Sequence, residues 1–543
     1  MKKYFWLIVI LIVATALRFY HNLNISLWHD EAFSALMIRY PWQEMFQRLA
    51  LDVHPPMYYI FLRFWHNVFG DSLLSLRGFS IFFGVAGVWA AWLFVKTAFK
   101  NEKIALWAAL LIAVNPYIIQ FSTEARMYTV GAFFALMAAY FLVKALREQK
   151  QFYDDKHLNM PNLPQDIKLR KNYLWHYFGF AVCTAIIILT HYYLIFTACA
   201  LGLYGLLYLI VHSKTPDKLV PHSDAGSARY TWKRFMPLLS SFIFTILAFT
   251  PWLKVFIAQV KSVGQSYWIP AIDVWSIPGT IWTMLLGIGH DNGNHNTLIW
   301  MAAVFLFSVF FFWQFLRKTD FYEKWLVLFC VAAPFLGALM FALLASLKGS
   351  TSSVYQERYF LFGAVFYTIA FAAWLSEIRL KMLSAALFVI YFLFSLYAFN
   401  NYWSGLNIAN KAGMDGAAKF LGMNVEPNQH VFLGSSFEFF NYKYYQQTVY
   451  KTSSPPLLFT GGRAGVSQIS SVEGSALLSN GDLAPAFSQY AHPGDTEWLL
   501  WTDGFSGKKP QMPLNWTQVD EKQYQDVRPW VGTNIYVDEY RVN

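Results

Sequence analysis

Residues 173–212 read YLWHYFGFAVCTAIIILTHYYLIFTACALGLYGLLYLIVH, a stretch without a single Asp, Glu, Lys or Arg. A helix rises about 1.5 Å per residue, so about 20 apolar residues cross a hydrocarbon layer of about 30 Å. The stretch therefore holds two crossings, 173–190 and 192–212, that meet at His191-Tyr192-Tyr193. Applied outward, the same reading finds about 11 such runs, at 4–20, 77–99, 104–122, 127–146, 173–190, 192–212, 235–256, 297–316, 325–347, 359–376 and 382–399.

Composition agrees with a chain made for lipid. Apolar residues make up 56% of the 543 positions and charged ones only 14%, against about 25% charged in an ordinary soluble domain. The net charge of +10 is not a nucleic-acid footprint, because the Lys and Arg fall in short loops between the apolar runs. No nucleic acid is expected as a partner. Cys183, Cys199 and Cys330 all lie in apolar runs without ligand spacing, so neither a disulfide framework nor a zinc site is implied. Met1-Lys2-Lys3 opens an apolar run that reads as a retained first span, since Arg18 and Tyr20 stand where a signal peptide needs small residues.

The basic loops set an orientation. With the N-terminus in the cytoplasm, the inside loops carry Lys2 and Lys3, then Lys96, Lys100 and Lys103, then Arg147, Lys150, Lys156, Lys168, Arg170 and Lys171. Lys214, Lys218, Arg229, Lys233 and Arg234 follow, then Arg317, Lys318 and Lys324, and finally Arg379 and Lys381. An odd number of spans then puts the C-terminal part outside.

Two segments do not span. The loop 21–76 is long and aromatic and is expected to fold on the membrane surface, with a helix opened by Pro55-Pro56 and closed by Gly70. Residues 401–543 gain charge, Gly and Pro, and read as a small soluble α/β domain with a helix near 414–421 and strands at 430–433, 497–501 and 533–537. The expected fold is a polytopic α-helical membrane protein with two parts, a transmembrane domain 1–400 that includes the loop 21–76, and the soluble domain 401–543.

Charged groups at a membrane are costly enough to mark candidate sites. Four clusters fall at the outer ends of spans in this topology. In Trp28-His29-Asp30-Glu31, adjacent carboxylates can take a proton from an attacking hydroxyl or hold a cation; the plainer alternative is that Asp30 caps a helix. Asp52 and His54 precede Pro55-Pro56 and Tyr58, where backbone donors suit an anion, with capping again the alternative. Glu124-Ala125-Arg126-Met127-Tyr128 sets a guanidinium suited to phosphate beside an acid, or a structural ion pair. The fourth group joins His191 and Tyr192 to Tyr355, Glu357 and Arg358; for His191 an ordinary interface position is the plainer reading. No P-loop, GxGxxG, GxSxG or HExxH pattern is present, which argues against an ATP-driven pump and a Rossmann-type nucleotide-sugar transferase.

Taken together, Trp28-His29-Asp30-Glu31, Asp52-Val53-His54-Pro55-Pro56-Met57-Tyr58-Tyr59, Gly70-Asp71-Ser72 through Leu76-Arg77, Asn115-Pro116 through Glu124-Ala125-Arg126-Met127-Tyr128, His191-Tyr192-Tyr193, Thr250-Pro251-Trp252 and Glu357-Arg358-Tyr359 form an ordered series. It resembles the bacterial membrane glycosyltransferases of GT-C type, in particular the family 39-like protein mannosyltransferases and aminoarabinose transferases, over roughly residues 1–400. Two departures are Thr123, where such proteins often have Gln, and a less regular aliphatic series after the paired prolines. The resemblance implies a sugar transfer from a polyprenyl-phosphate donor to a hydroxyl on a lipid, glycan or protein, with inversion, at the outer face of a bacterial cytoplasmic membrane. It maps the base onto Asp30 with Glu31 beside it, and the phosphate-binding charges onto Arg126 and Arg358. Asp52, His54, Tyr58, Glu124, Tyr128, His191, Tyr192, Tyr355 and Glu357 fall to substrate binding. A divalent metal ion, where such enzymes use one, falls to Asp30 and Asp52. The rival readings are a secondary transporter or lipid-linked sugar flippase, and an oligosaccharide polymerase or ligase.

Overall fold

The structure, a computed structural model, describes residues 2–20, 22–157, 163–213, 224–265, 269, 271–287, 295–347, 353–406, 412–471, 473–504, 507–526 and 533–543. Lys214 and Lys218 of the basic loops lie outside these residues.

In chain order, α1 (Lys2–Phe19) leads into three short helices, α2 (His29–Met37), α3 (Trp42–Leu51) and α4 (Met57–Phe69). Next come α5 (Leu73–Phe99), α6 (Glu102–Val114), α7 (Pro116–Ser122), α8 (Tyr128–His157), α9 (Leu163–Thr190), α10 (Leu194–Ser213) and α11 (Asp224–Phe249). They are followed by α12 (Leu253–Gln265), α13 (Ser276–Leu286), α14 (His295–Lys318), α15 (Phe321–Ser346), α16 (Leu361–Glu377) and α17 (Lys381–Leu406). The remainder is α18 (Gly413–Asn424), β1 (Val431–Leu433), α19 (Ser436–Tyr444), β2 (Pro456–Phe459), β3 (Leu483–Ala484), β4 (Thr496–Thr502), β5 (Trp516–Gln525) and β6 (Asn534–Val542). Among the described residues, 10 helices are long and apolar enough to cross a bilayer, or 11 if α6 and α7 form one broken span. The polytopic helical architecture is the one the apolar runs call for.

The chain divides into two compact units, and the division is not a simple cut near residue 400. One unit comprises Met1–Arg18, Ser80–Ser122 and Met127–Ala398, and the other Phe19–Phe79, Thr123–Arg126 and Phe399–Asn543. The loop expected to accompany the spans is grouped instead with the C-terminal residues, because it packs on them.

Within the first unit, the α6–α7 break shows how sequence sets local structure. Pro116 has no N–H to continue α6, and the chain bends there by 62°. Asn115 serves both sides of the bend: its Oδ1 accepts from the Ile118 N–H at 2.9 Å and its Nδ2 donates to the Met284 carbonyl at 2.9 Å. The carbonyls that α6 leaves without intrahelical donors meet a cation. Arg18, fully buried, donates to the Ala113 carbonyl at 3.1 Å and to Ala14 at 3.0 Å, so a charge inside a span is matched to the negative end of a helix. Gly287 closes α13 at φ +66°, and a Cβ there would lie 2.5 Å from that of Pro116.

Within the second unit, the C-terminal residues form the expected α/β domain. Its sheet has six strands in the order β3-β2-β1-β4-β6-β5, parallel from β3 through β4 and antiparallel where β6 meets β4 and β5. Phe432, Phe487, Leu499, Trp516 and Tyr540 fill its core. The helix expected after Pro55-Pro56 is α4, with Gly70 at its C-cap at φ +74°, a backbone setting that favours glycine.

Candidate active site

Neither acid of the first cluster caps a helix. α2 begins at His29 with Trp28 at its N-cap, which puts Asp30 and Glu31 in the first turn. There the positive end of the helix favours carboxylates. Asp52 ends α3, while α4 has Pro56 at its N-cap.

The two adjacent acids have different surroundings. Both Glu31 oxygens are engaged by Arg77, Oε1 with Nε at 2.9 Å and Oε2 with Nη2 at 2.7 Å, and both side chains are fully buried. Oε1 also accepts from the Ala125 N–H at 2.9 Å. Arg77 gives its remaining donors to the carbonyls of Asn22, Ile25 and Ser26 at 2.5, 2.8 and 3.1 Å. All five guanidinium N–H groups are therefore satisfied. Glu31 thus ties α2 to α5 and to the 123–126 turn, in a closed setting unlike that expected of a second proton acceptor.

Asp30 faces the other way, with 21% of its side chain exposed against 3% for Arg126. Arg126 Nη2 lies 3.6 Å from Asp30 Oδ2, Nη1 donates to the Asp30 carbonyl and to Ser34 Oγ at 3.3 Å each, and Nη2 meets His54 Nε2 at 3.2 Å. Guanidinium only donates, so His54 Nε2 must accept; its proton then sits on Nδ1 and is donated to Asp52 Oδ2 at 2.9 Å. The result is one chain of polar contacts, Asp52–His54–Arg126–Asp30, with Glu31–Arg77 fixing the turn that carries Arg126. Tyr59, fully buried nearby, has its hydroxyl pushed well above the usual range by burial, with Arg126 opposing. Tyr58 is fully buried, its ring 5.9 Å from that of Phe79. Glu124 is buried too and lies within electrostatic reach of Arg77.

α19 braces α2 from the C-terminal side. The His29 ring lies 5.1 Å from that of Phe437 and 5.3 Å from that of Phe440. Burial lowers its basicity, the nearby Asp30 opposing. The Leu27 N–H donates to the Tyr445 hydroxyl at 2.9 Å. Arg39 binds Asp71 at 2.6 Å and reaches the Thr448 hydroxyl. Arg77, Ser34, Arg39 and Tyr445 were not among the expected site residues. Of these, Arg77 had a readable signal, a charge at the start of an apolar run.

The remaining expected residues gather in the other unit. The His191 ring lies 6.0 Å from Tyr128 and 4.9 Å from Tyr359, and its Nδ1 accepts from the Tyr193 N–H at 3.2 Å. The Tyr192 hydroxyl receives the Trp252 indole N–H at 2.9 Å and donates to Gln259. The Tyr355 hydroxyl lies 2.8 Å from Thr280 Oγ1. Glu357 Oε1 accepts from Thr283 Oγ1 at 3.3 Å and its carbonyl from the Tyr117 hydroxyl at 2.6 Å. The Arg358 guanidinium sits 5.7 Å from the Tyr359 ring centroid.

A divalent ion does not suit the donor set at Asp30 and Asp52. Asp52 accepts from His54, and Asp30 has a guanidinium 3.6 Å away, where a cation would meet like charge. Among the described residues, no group of three or more His, Cys, Asp or Glu is placed to hold a metal.

Residues 53–153 match the family described as dolichyl-phosphate-mannose-protein mannosyltransferase, a segment that includes His54, Tyr58, Arg77, Glu124, Arg126 and Tyr128. Over almost its whole length the chain has the fold of ArnT from Cupriavidus metallidurans. The structure of that protein bound to undecaprenyl phosphate gives a TM-score of 0.54 at 13% identity over 98% of each chain. Its apo structure gives 0.53 at 13% identity, over 91% of this chain and 92% of that one. No curated protein matches.

Proposed function

Given a chain with the fold of the GT-C-type glycosyltransferases and a mannosyltransferase-family segment over residues 53–153, we propose that it transfers a sugar from a polyprenyl-phosphate donor to an acceptor hydroxyl. The observation that carries this reading is the Asp30–Arg126 pair, a partly exposed carboxylate 3.6 Å from a nearly buried guanidinium. A proton acceptor and an anion-binding charge are the two groups such a transfer needs.

In this reading the acceptor hydroxyl gives its proton to Asp30 as its oxygen bonds the anomeric carbon. The bond from that carbon to the phosphate oxygen breaks, and the lipid phosphate leaves with the electron pair. In-line attack inverts the configuration. Arg126 lies beside Asp30 and offsets the charge that builds on the phosphate. His54 and Asp52 hold Arg126 in place, and Glu31 acts as a positioning residue through Arg77 and Ala125. Substrate binding is assigned to Tyr58, Glu124, Tyr128, His191, Tyr192, Tyr355, Glu357 and Arg358, each tested by its own substitution. No step passes through a metal ion. The basic loops favour an N-terminus in the cytoplasm and a C-terminal domain outside, and the family resemblance points to a bacterial cytoplasmic membrane.

The test is reconstitution in proteoliposomes with a polyprenyl-phosphate sugar and a panel of lipid, glycan and peptide acceptors, read by mass spectrometry. Release of polyprenyl phosphate with gain of one sugar on the acceptor supports the proposal. Movement of the intact donor across the bilayer without bond cleavage contradicts it, and transfer of a preassembled block points to a ligase instead.

A further inference from the structure

A large cavity lined by described residues lies far along the helices from Tyr128. It holds about 670 Å³ and is walled by the C-terminal part of α8, at Phe152 and Tyr153, and by the facing sides of α9 and α11. Between Tyr128 and Tyr153, α8 climbs about 37 Å, more than the hydrocarbon thickness of about 30 Å. The cavity therefore belongs to the opposite leaflet from Tyr128.

Its walls carry two parallel stripes. Arg170, Leu174 and Phe178 recur every four residues on α9, and Lys233, Pro237, Ser241 and Phe244 share one face of α11. Each stripe begins with a cation and runs on for roughly 12–16 Å, apolar on α9 and interrupted by Ser241 on α11, about the depth of one leaflet's hydrocarbon. Leu174, Phe178, Met236 and Phe244 are exposed, so the groove is open along its side. Among the described residues no acid lines it, and a third cation stands beside it: the Arg234 guanidinium lies 4.7 Å from the ring centroid of Tyr153. Pro237 lacks the N–H that would bond the Lys233 carbonyl within α11.

We propose that this groove binds one anionic glycerophospholipid, its phosphate against Arg170 and Lys233 and an acyl chain along Leu174, Phe178 and Phe244. Charge complementarity selects the lipid class. Among the described lining residues two cations stand without an acid, which favours a headgroup with net negative charge over a zwitterionic one, and the apolar side chains along α9 match the length of a chain rather than a free ion.

Native mass spectrometry of the full chain, released from nanodiscs of equimolar phosphatidylglycerol and phosphatidylcholine, tests it. One phosphatidylglycerol should be retained in preference, and R170Q/K233Q should lower that preference about tenfold or more, while K381Q in another basic loop leaves it unchanged. The charge-conserving R170K/K233R should keep most of the preference, which separates charge from packing. Equal retention of both lipids by the native chain, an unaltered ratio in R170Q/K233Q, or equal losses in both double variants would overturn the proposal. So would displacement of the lipid by millimolar inorganic phosphate, which would mark a plain anion site.

Discussion

Glu31 closes both carboxylate oxygens onto the Arg77 guanidinium, at 2.9 and 2.7 Å, with neither side chain exposed. A buried pair of this kind is most sensitive to loss of one member, since the charge left behind has no water to replace its partner. E31A should cost about 3–5 kcal/mol of stability. R77M should cost at least as much, because three backbone carbonyls also lose their donor. Unfolding in detergent, followed by tryptophan fluorescence, measures both. An unchanged unfolding midpoint in either variant would mean that the pair does not hold the 123–126 turn.

The His54 tautomer is set from both sides, by Asp52 at Nδ1 and Arg126 at Nε2. In D52N the amide can donate to Nδ1, which moves the ring proton to Nε2 and against the guanidinium. Sugar transfer should fall about 10- to 100-fold with little change in unfolding midpoint. R126K, which keeps the charge but loses the planar fork, should fall about 100-fold. Initial rates of lipid-phosphate release measure both, and a D52N variant as fast as the native chain would break the proposed relay of contacts.

His29 gives stability a pH dependence with a defined sign. Burial holds its folded-state basicity below the ordinary value near 6.5, so the unfolded chain takes up a proton first as pH falls. Its contribution is complete above about pH 6.5 and is lost as pH drops from there through the lowered folded value. The unfolding midpoint should therefore decline on acidification below pH 6.5, and H29F, which keeps the ring between Phe437 and Phe440 without a titrating nitrogen, should flatten that decline. A native-like slope in H29F would assign the acid sensitivity elsewhere.

Packing of α19 on α2 makes the C-terminal residues part of the site's framework. F440A removes the ring that touches both His29 and Phe33 and should cost about 3–5 kcal/mol. Y445F leaves the Leu27 N–H without its acceptor, at about 1–3 kcal/mol. Both should also slow transfer, since residues 26–30 are held through these contacts. Transfer at the native rate in a destabilised F440A chain would separate α19 from the chemistry.

Much of this architecture could be read from residue order, for reasons that differ by element. The spans were visible because a helix in lipid needs an unbroken apolar run, and even the α6–α7 break carries its own mark in Asn115-Pro116. α4 was bounded by Pro56 and Gly70, whose backbone preferences act locally. Asp30, Asp52, His54 and Arg126 stood out as charges beside apolar segments, and the structure brings these four together. It leaves Tyr128, His191, Tyr192, Tyr355, Glu357 and Arg358 in the other compact unit. Three things lacked a local signal. Asp30 and Glu31 look alike in sequence, and only the position of Arg77 separates an accessible acid from a locked one. Tyr445 meets Leu27 across 418 residues, a contact that no periodicity encodes. β5 was missed because WTQVDEKQYQ is polar on both faces; as an edge strand it needs little apolar alternation, and its charges protect the exposed edge.

The central claim is that Asp30 takes the acceptor's proton, and single-turnover cleavage of a polyprenyl-phosphate sugar by D30N tests it most directly. The account predicts that D30N keeps the native unfolding midpoint and loses at least about 100-fold in the cleavage rate. A folded D30N chain that cleaves the donor within about threefold of the native rate, against that expected loss, would contradict it.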